Sequence, residues 1–116
     1  MSTDITRTLP PLLVLCGPTA AGKSALAVQL CVALGAEVVT ADSRQVYRYM
    51  DIGTDKPTPQ ERRGVPHHMI DLVDPGEPFT LALYQEQAMQ AIGEITARGR
   101  VPLLTGGTPL YVNSLV

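Results

Sequence analysis

Short apolar runs alternate along the chain with longer stretches in which apolar residues recur every three or four positions. Leu12-Leu13-Val14-Leu15-Cys16 is uniformly apolar and only five residues long. That pattern predicts a strand buried on both faces, as in a parallel sheet. Glycines at 17 and 22 interrupt it, and residues 23–34 are good helix formers followed by Gly35, a natural stop. Glu37-Val38-Val39-Thr40-Ala41 reads as a second strand. Strand, helix and strand in such close succession form a βαβ unit, whose crossover is right-handed in nearly all cases.

Residues 42–66 lose this regularity. Gly53, Pro57, Pro59 and Gly64 punctuate a polar segment that also holds Arg44, Arg48, Arg62 and Arg63. A loop of this length in a compact domain is often functional. Residues 69–73 are read as a third strand, closed by the turn-rich Asp74-Pro75-Gly76-Glu77-Pro78. Thr80 can cap a helix carrying Leu81, Tyr84, Ala88, Ala91, Ile92 and Ile95 on one face, until Gly99 ends it. Residues 101–105 form a fourth strand, and Gly106-Gly107-Thr108-Pro109 reads as a turn, an N-cap and a proline at the first helical position. The expected class is α/β, a parallel sheet with flanking helices. Residues 1–10 are polar and read as a flexible lead-in, and no repeat or low-complexity tract interrupts the rest.

Composition narrows the function. Nine Lys plus Arg against eleven Asp plus Glu, a net charge of -2 over 116 residues, exclude a strongly basic nucleic-acid grip within this chain. The five aromatic residues, Tyr47, Tyr49, Phe79, Tyr84 and Tyr111, are too scattered to make a base-stacking platform. Cys16 and Cys31 lie in separate apolar runs, which argues for reduced, buried thiols rather than a zinc site or a disulfide. No apolar run reaches the length of a membrane span, and the N-terminus carries Asp4, Pro10 and Pro11, so a cytoplasmic protein without membrane contact is expected.

The sharpest chemical signal is Gly17-Pro18-Thr19-Ala20-Ala21-Gly22-Lys23-Ser24, which fits G-x-x-x-x-G-K-[ST] between a predicted strand and a predicted helix. The glycines let successive N–H groups point at phosphate oxygens, and the helix that follows adds its positive end. Lys23 would neutralise a terminal phosphate and Ser24 would offer its hydroxyl to Mg²⁺. The pattern does not separate a nucleoside triphosphate from another diphosphate. Asp42 closes the second strand at the edge where parallel sheets bind ligands, so it should face the same crevice. It could assist Mg²⁺ as in a P-loop kinase, act as a general base toward an acceptor, or simply cap a turn beside Ser43.

Asp42-Ser43-Arg44-Gln45-Val46-Tyr47, following that phosphate loop, resembles the tRNA dimethylallyltransferases, also called tRNA isopentenyltransferases. Gly53-Thr54-Asp55-Lys56-Pro57, Pro66-His67-His68-Met69-Ile70-Asp71 and Gly106-Gly107-Thr108-Pro109-Leu110-Tyr111 are similar to three further elements of that family in the same order. Pro109 departs from the residue common there, yet suits the first turn of a helix. The resemblance implies a P-loop NTPase-like core over residues 11–116 that is incomplete at the C-terminus, without the last strands and the helical region that embraces tRNA. It implies transfer of a dimethylallyl group from dimethylallyl diphosphate to N6 of an adenosine beside the anticodon, with the phosphate loop gripping a leaving group. Asp42 would then be the base, Thr108 would lie near the same centre, Ser43, Arg44 and Gln45 would meet the tRNA anticodon stem-loop, and Mg²⁺ would be the cofactor. The full-length form is expected to be a monomer and the present chain alone an inactive fragment. His67 and His68 are read as structural, placed before the third strand at the sheet edge opposite the phosphate loop, and Arg62-Arg63 either as a solvated charged pair or as contacts to tRNA phosphates. Adenylate isopentenyltransferases, a small ATP-using P-loop kinase and a silent diphosphate-binding module remain as alternatives.

Overall fold

A computed structural model describes residues 12–15, 23–49 and 56–116. Four parallel strands form one sheet in the order β1-β4-β2-β3: β1 is Leu13–Leu15, β2 Ala36–Thr40, β3 His67–His68 and β4 Val101–Thr105. Helix α1, Lys23–Leu34, and helix α2, Leu81–Ala97, supply the crossovers, and a short α3, Pro109–Asn113, follows β4.

The alternation of side chains along β2 and β4 divides the core between the two sheet faces. Val38 and Leu103 pack with Ala27, Val28 and Cys31 of α1. Val39 and Leu104 pack with Tyr84, Ala88, Ile92 and Ile95 of α2. Both strands therefore bury apolar residues on both faces, and every residue of β2, Glu37 and Thr40 included, is buried. Tyr84 is fully buried, stacks on Tyr111 of α3 with ring centroids 4.1 Å apart, and donates its hydroxyl to Thr40 O at 2.9 Å. Burial of that phenol pushes its pKa up, so it remains a donor. Thr80 accepts from Leu83 N at 3.1 Å to start α2, and Gly35 and Gly99, at φ 67° and 77°, take the left-handed turns that end α1 and follow α2. Cys31 is a buried free thiol whose pKa is pushed up to about 11, chiefly by burial.

Two expectations need correction. The third strand is not residues 69–73 but the two histidines that precede them, paired as Val38↔His67 and Val39↔His68. Met69 and Asp71 adopt left-handed backbone, φ 67° and 55°, and an extended strand cannot continue through them. The chain instead folds back onto the loop after β2, where Leu72 N bonds Val46 O at 2.7 Å and Val73 bridges Tyr47. Second, β1 is an edge strand rather than one buried on both faces: Leu13 and Val14 are 36% and 43% exposed. Only β4 pairs with it among the described residues.

Candidate active site

The carboxyl ends of β2 and β4 and the residues that follow them line a crevice. Their pairing runs to Thr40↔Thr105, and Ala41 N then donates to Thr105 O at 2.8 Å. One step further, Thr108 N donates to Ala41 O at 3.2 Å. Between these bonds Gly106 lies against Ala41 so closely that a Cβ there would sit 2.0 Å from the Ala41 carbonyl oxygen. Only glycine permits the approach.

Lys23, Ser24, Asp42, Gln45, Gly106 and Gly107 all line this crevice, as do Pro57 and His67. Lys23 and Ser24 open α1, and Lys23 Nζ donates to Gly106 O at 3.0 Å, tying the start of that helix to the end of β4. Asp42 is 4% exposed, and its Oδ1 accepts the N–H groups of Arg44 at 2.8 Å and Gln45 at 3.2 Å. It therefore both caps a turn and presents a carboxyl group to the crevice. Both bonds fall on Oδ1, which leaves Oδ2 as the oxygen without a donor among the described residues.

Thr108 precedes α3 at the N-cap position, but its hydroxyl makes no bond to that helix. Its Oγ1 accepts Ser43 N at 3.0 Å and bonds Ser43 Oγ at 3.3 Å. That contact places Thr108 beside the residue after Asp42. Ser43 and Arg44 are exposed, and Gln45 is buried. Gly17, Pro18, Thr19, Ala20, Ala21 and Gly22 lie outside the described residues, as do Gly53, Thr54 and Asp55.

The histidines were expected at the sheet edge opposite the phosphate loop, but His67 lines the same crevice as Lys23. His67 Nδ1 lies 2.8 Å from Val65 O, and because a carbonyl only accepts, that nitrogen carries the proton. Burial lowers the His67 pKa against the opposing Val65 bond, and the charges of Arg62 and His68 lower it further, so a neutral imidazole faces the crevice. His68 Nε2 donates to Glu37 Oε1 at 2.7 Å. Glu37, 2% exposed, also meets the guanidinium of Arg98, and that of Arg100 at 3.1 Å. Burial alone would raise the Glu37 pKa, but the hydrogen bonds of His68 and Arg98, with their charges, hold it below the usual carboxylate value. Sequence reasoning read residue 37 as an ordinary strand position; a carboxylate at the head of an apolar run was the available signal.

Donor chemistry in the crevice suits Mg²⁺, which takes one or two protein oxygens and leaves the remaining positions to phosphate and water. Ser24 and Asp42 are such oxygens, and no group of three or more His, Cys, Asp or Glu that could form an all-protein metal cage occurs among the described residues. No helix among them is long and apolar enough to cross a membrane.

Comparison with known proteins places this geometry. Residues 45–116 match the IPP transferase family and residues 10–72 match the isopentenyl transferase family. The chain is 58% identical over 106 residues to a tRNA dimethylallyltransferase of Thermomicrobium roseum, covering 91% of this chain and 32% of that one. It is 57% identical over 108 residues to the tRNA dimethylallyltransferase of Methylococcus capsulatus, covering 93% and 35%. Among solved structures, the full-length tRNA isopentenylpyrophosphate transferase of Bacillus halodurans superposes with a TM-score of 0.89 at 51% identity, covering 93% of this chain and 36% of that one. A eukaryotic dimethylallyltransferase caught acting on tRNA superposes with a TM-score of 0.87 at 38% identity, covering 92% and 27%. The chain thus spans about a third of the length of the curated relatives it matches.

Proposed function

We infer, from a chain that belongs to the isopentenyl transferase family and gathers Lys23, Ser24 and Asp42 in one crevice, that it is the diphosphate-binding portion of a tRNA dimethylallyltransferase. The observation that carries this reading is the Asp42 carboxyl group, held by two backbone N–H groups within the crevice that Lys23 lines. The allylic carbon–oxygen bond of dimethylallyl diphosphate breaks while a carbon–nitrogen bond forms to N6 of an adenosine, and diphosphate leaves. Charge builds on the departing diphosphate, and the Lys23 ammonium with the N–H groups of residues 17–24 stabilises it where it appears. The exocyclic amine is a weak nucleophile because its lone pair is delocalised into the ring. Asp42 accepts its proton as the new bond forms, a contribution of about 10²–10⁴ in rate.

Ser24 would hold Mg²⁺, which when bound supplies further charge neutralisation on the diphosphate. Thr108, tied to Ser43, would line the approach of the base, and Ser43, Arg44 and Gln45 would meet the anticodon stem-loop, its adenosine extruded. The whole enzyme is taken to be a cytoplasmic monomer. Asp42→Asn preserves the acceptor that Arg44 and Gln45 need but cannot take a proton. In the full-length enzyme kcat should fall at least about a hundredfold with diphosphate affinity near normal. Loss of Mg²⁺ affinity as the main defect would favour a metal ligand over a base, and tighter binding of ATP than of dimethylallyl diphosphate would favour a kinase.

A further inference from the structure

Lys56 and Asp71 belong to two of the sequence elements that carry the resemblance, yet the chemistry above assigns them nothing. They meet beside the crevice. The Lys56 side chain is 4% exposed, and its Nζ donates to Asp71 Oδ1 at 2.6 Å and to Tyr47 O at 2.9 Å. The second Asp71 oxygen lies 3.6 Å from the Arg62 guanidinium, whose Nε donates to Pro57 O at 3.2 Å. Asp71 is thus clamped between two cations, one of them buried.

The clamp flanks two residues of positive φ. Met69 and Asp71 both sit in the left-handed region, which non-glycine residues keep only where their surroundings over-determine it. From that conformation Asp71 N donates to Gln45 O at 3.0 Å, and Gln45 N donates to Asp42 Oδ1 at 3.2 Å. A continuous path therefore runs from the Lys56 ammonium through Asp71 and Gln45 to the carboxyl group of Asp42. Gln45 itself lines the crevice, as does Pro57, next to Lys56.

We propose that Asp71, clamped by Lys56 and Arg62, is a positioning residue that sets the orientation of the Asp42 carboxylate through Gln45. The role rests on the transferase reading, because only a reaction that uses Asp42 would register its orientation. Without the clamp the segment 69–73 can relax to ordinary dihedrals, Gln45 loses its anchor and the carboxylate loses its second donor. A misplacement of about 1 Å at a reacting group costs on the order of a hundredfold in rate. Diphosphate binding, local to residues 17–24, should be unaffected.

The test compares Asp71→Asn, Asp42→Asn and the double variant in the full-length enzyme that carries these residues. Prenylated adenosine is followed by mass spectrometry and diphosphate affinity by calorimetry. Asp71→Asn should lower kcat about tenfold or more while the diphosphate Kd stays within about twofold. In the Asp42→Asn background the same change should cost nothing further, since no base is left to orient. Unchanged kcat, additive losses, or a joint fall in diphosphate affinity and thermal midpoint would overturn the proposal. If Asp71→Asn does not yield folded protein, Arg62→Gln removes the outer arm of the clamp and should show a smaller defect of the same kind. Unchanged kcat in that variant is equally fatal. An unmutated enzyme that transfers no prenyl group would refute the transferase reading itself, an outcome distinct from one in which unmutated and Asp71→Asn enzymes work equally well.

Discussion

Gly106→Ala probes the join between fold and site most directly. An added Cβ would meet Ala41 O at 2.0 Å, Ala41 C at 2.4 Å and Ala41 Cα at 2.8 Å, all backbone atoms with no rotamer to escape into. Restoring ordinary contact, which begins at 3.4 Å, requires the ends of β2 and β4 to part by about 1.4 Å. Three hydrogen bonds span that gap: Ala41 N to Thr105 O, Thr108 N to Ala41 O, and Ser43 N to Thr108 Oγ1. At a net worth of about 0.5–1.5 kcal/mol each, weakening them and straining the turn should cost about 2–4 kcal/mol of stability. The Lys23 bond to Gly106 O moves with the strand end, so kcat should fall on the order of a hundredfold as well. Urea denaturation of the full-length enzyme measures the first effect and single-turnover prenyl transfer the second. A variant with the parent's urea midpoint and the parent's rate would show that the close approach has no role in stability or in catalysis.

Three further outcomes follow from the structure. Lys23→Ala in the full-length enzyme should weaken diphosphate binding and lower kcat together, because the charge is present in the ground state and grows in the transition state; calorimetry showing unchanged diphosphate affinity would remove the cradle. Glu37→Gln should destabilise by about 2 kcal/mol in chemical denaturation, less than the about 3–5 kcal/mol for breaking a fully buried pair, since the partners Arg98 and Arg100 are 47% and 42% exposed and can rehydrate. Acid should act in the same direction on the parent. The His67 pKa is lowered from 6.5, so its contribution is whole above that value and erodes as pH falls below it. The Glu37 pKa is lowered from 4.5, so its contribution is whole above that value and lost as pH falls further through the folded pKa. Stability that rises on acidification from pH 7 to 4 would contradict both assignments.

Local pattern carried most of the architecture. Helix α2 was legible because Tyr84, Ala88, Ala91, Ile92 and Ile95 repeat at helical spacing between a threonine cap and a glycine stop. Strands β2 and β4 were legible because adjacent apolar residues, Val38-Val39 and Leu103-Leu104, need cover on both faces. The third strand was misplaced because residues 69–73 have the right composition, and nothing local announces left-handed backbone at Met69 and Asp71. Thr108 had the residue type and position of an N-cap, yet its hydroxyl turned to Ser43, 65 positions away in sequence.

The sequence by itself determined that strands and helices alternate as α/β, and it singled out a phosphate-loop motif and an acidic strand end as the candidate chemistry, since periodicity, caps and short motifs are local properties. Tertiary structure alone decided the strand order that leaves β1 at an edge, the contact of Gly106 with Ala41, the burial of Glu37 among His68, Arg98 and Arg100, and the Lys56–Asp71 clamp joined to Asp42 through Gln45. Each of these depends on distances between residues remote in the chain. Such distances are set by how the helices pack on the sheet, and no window of sequence contains them.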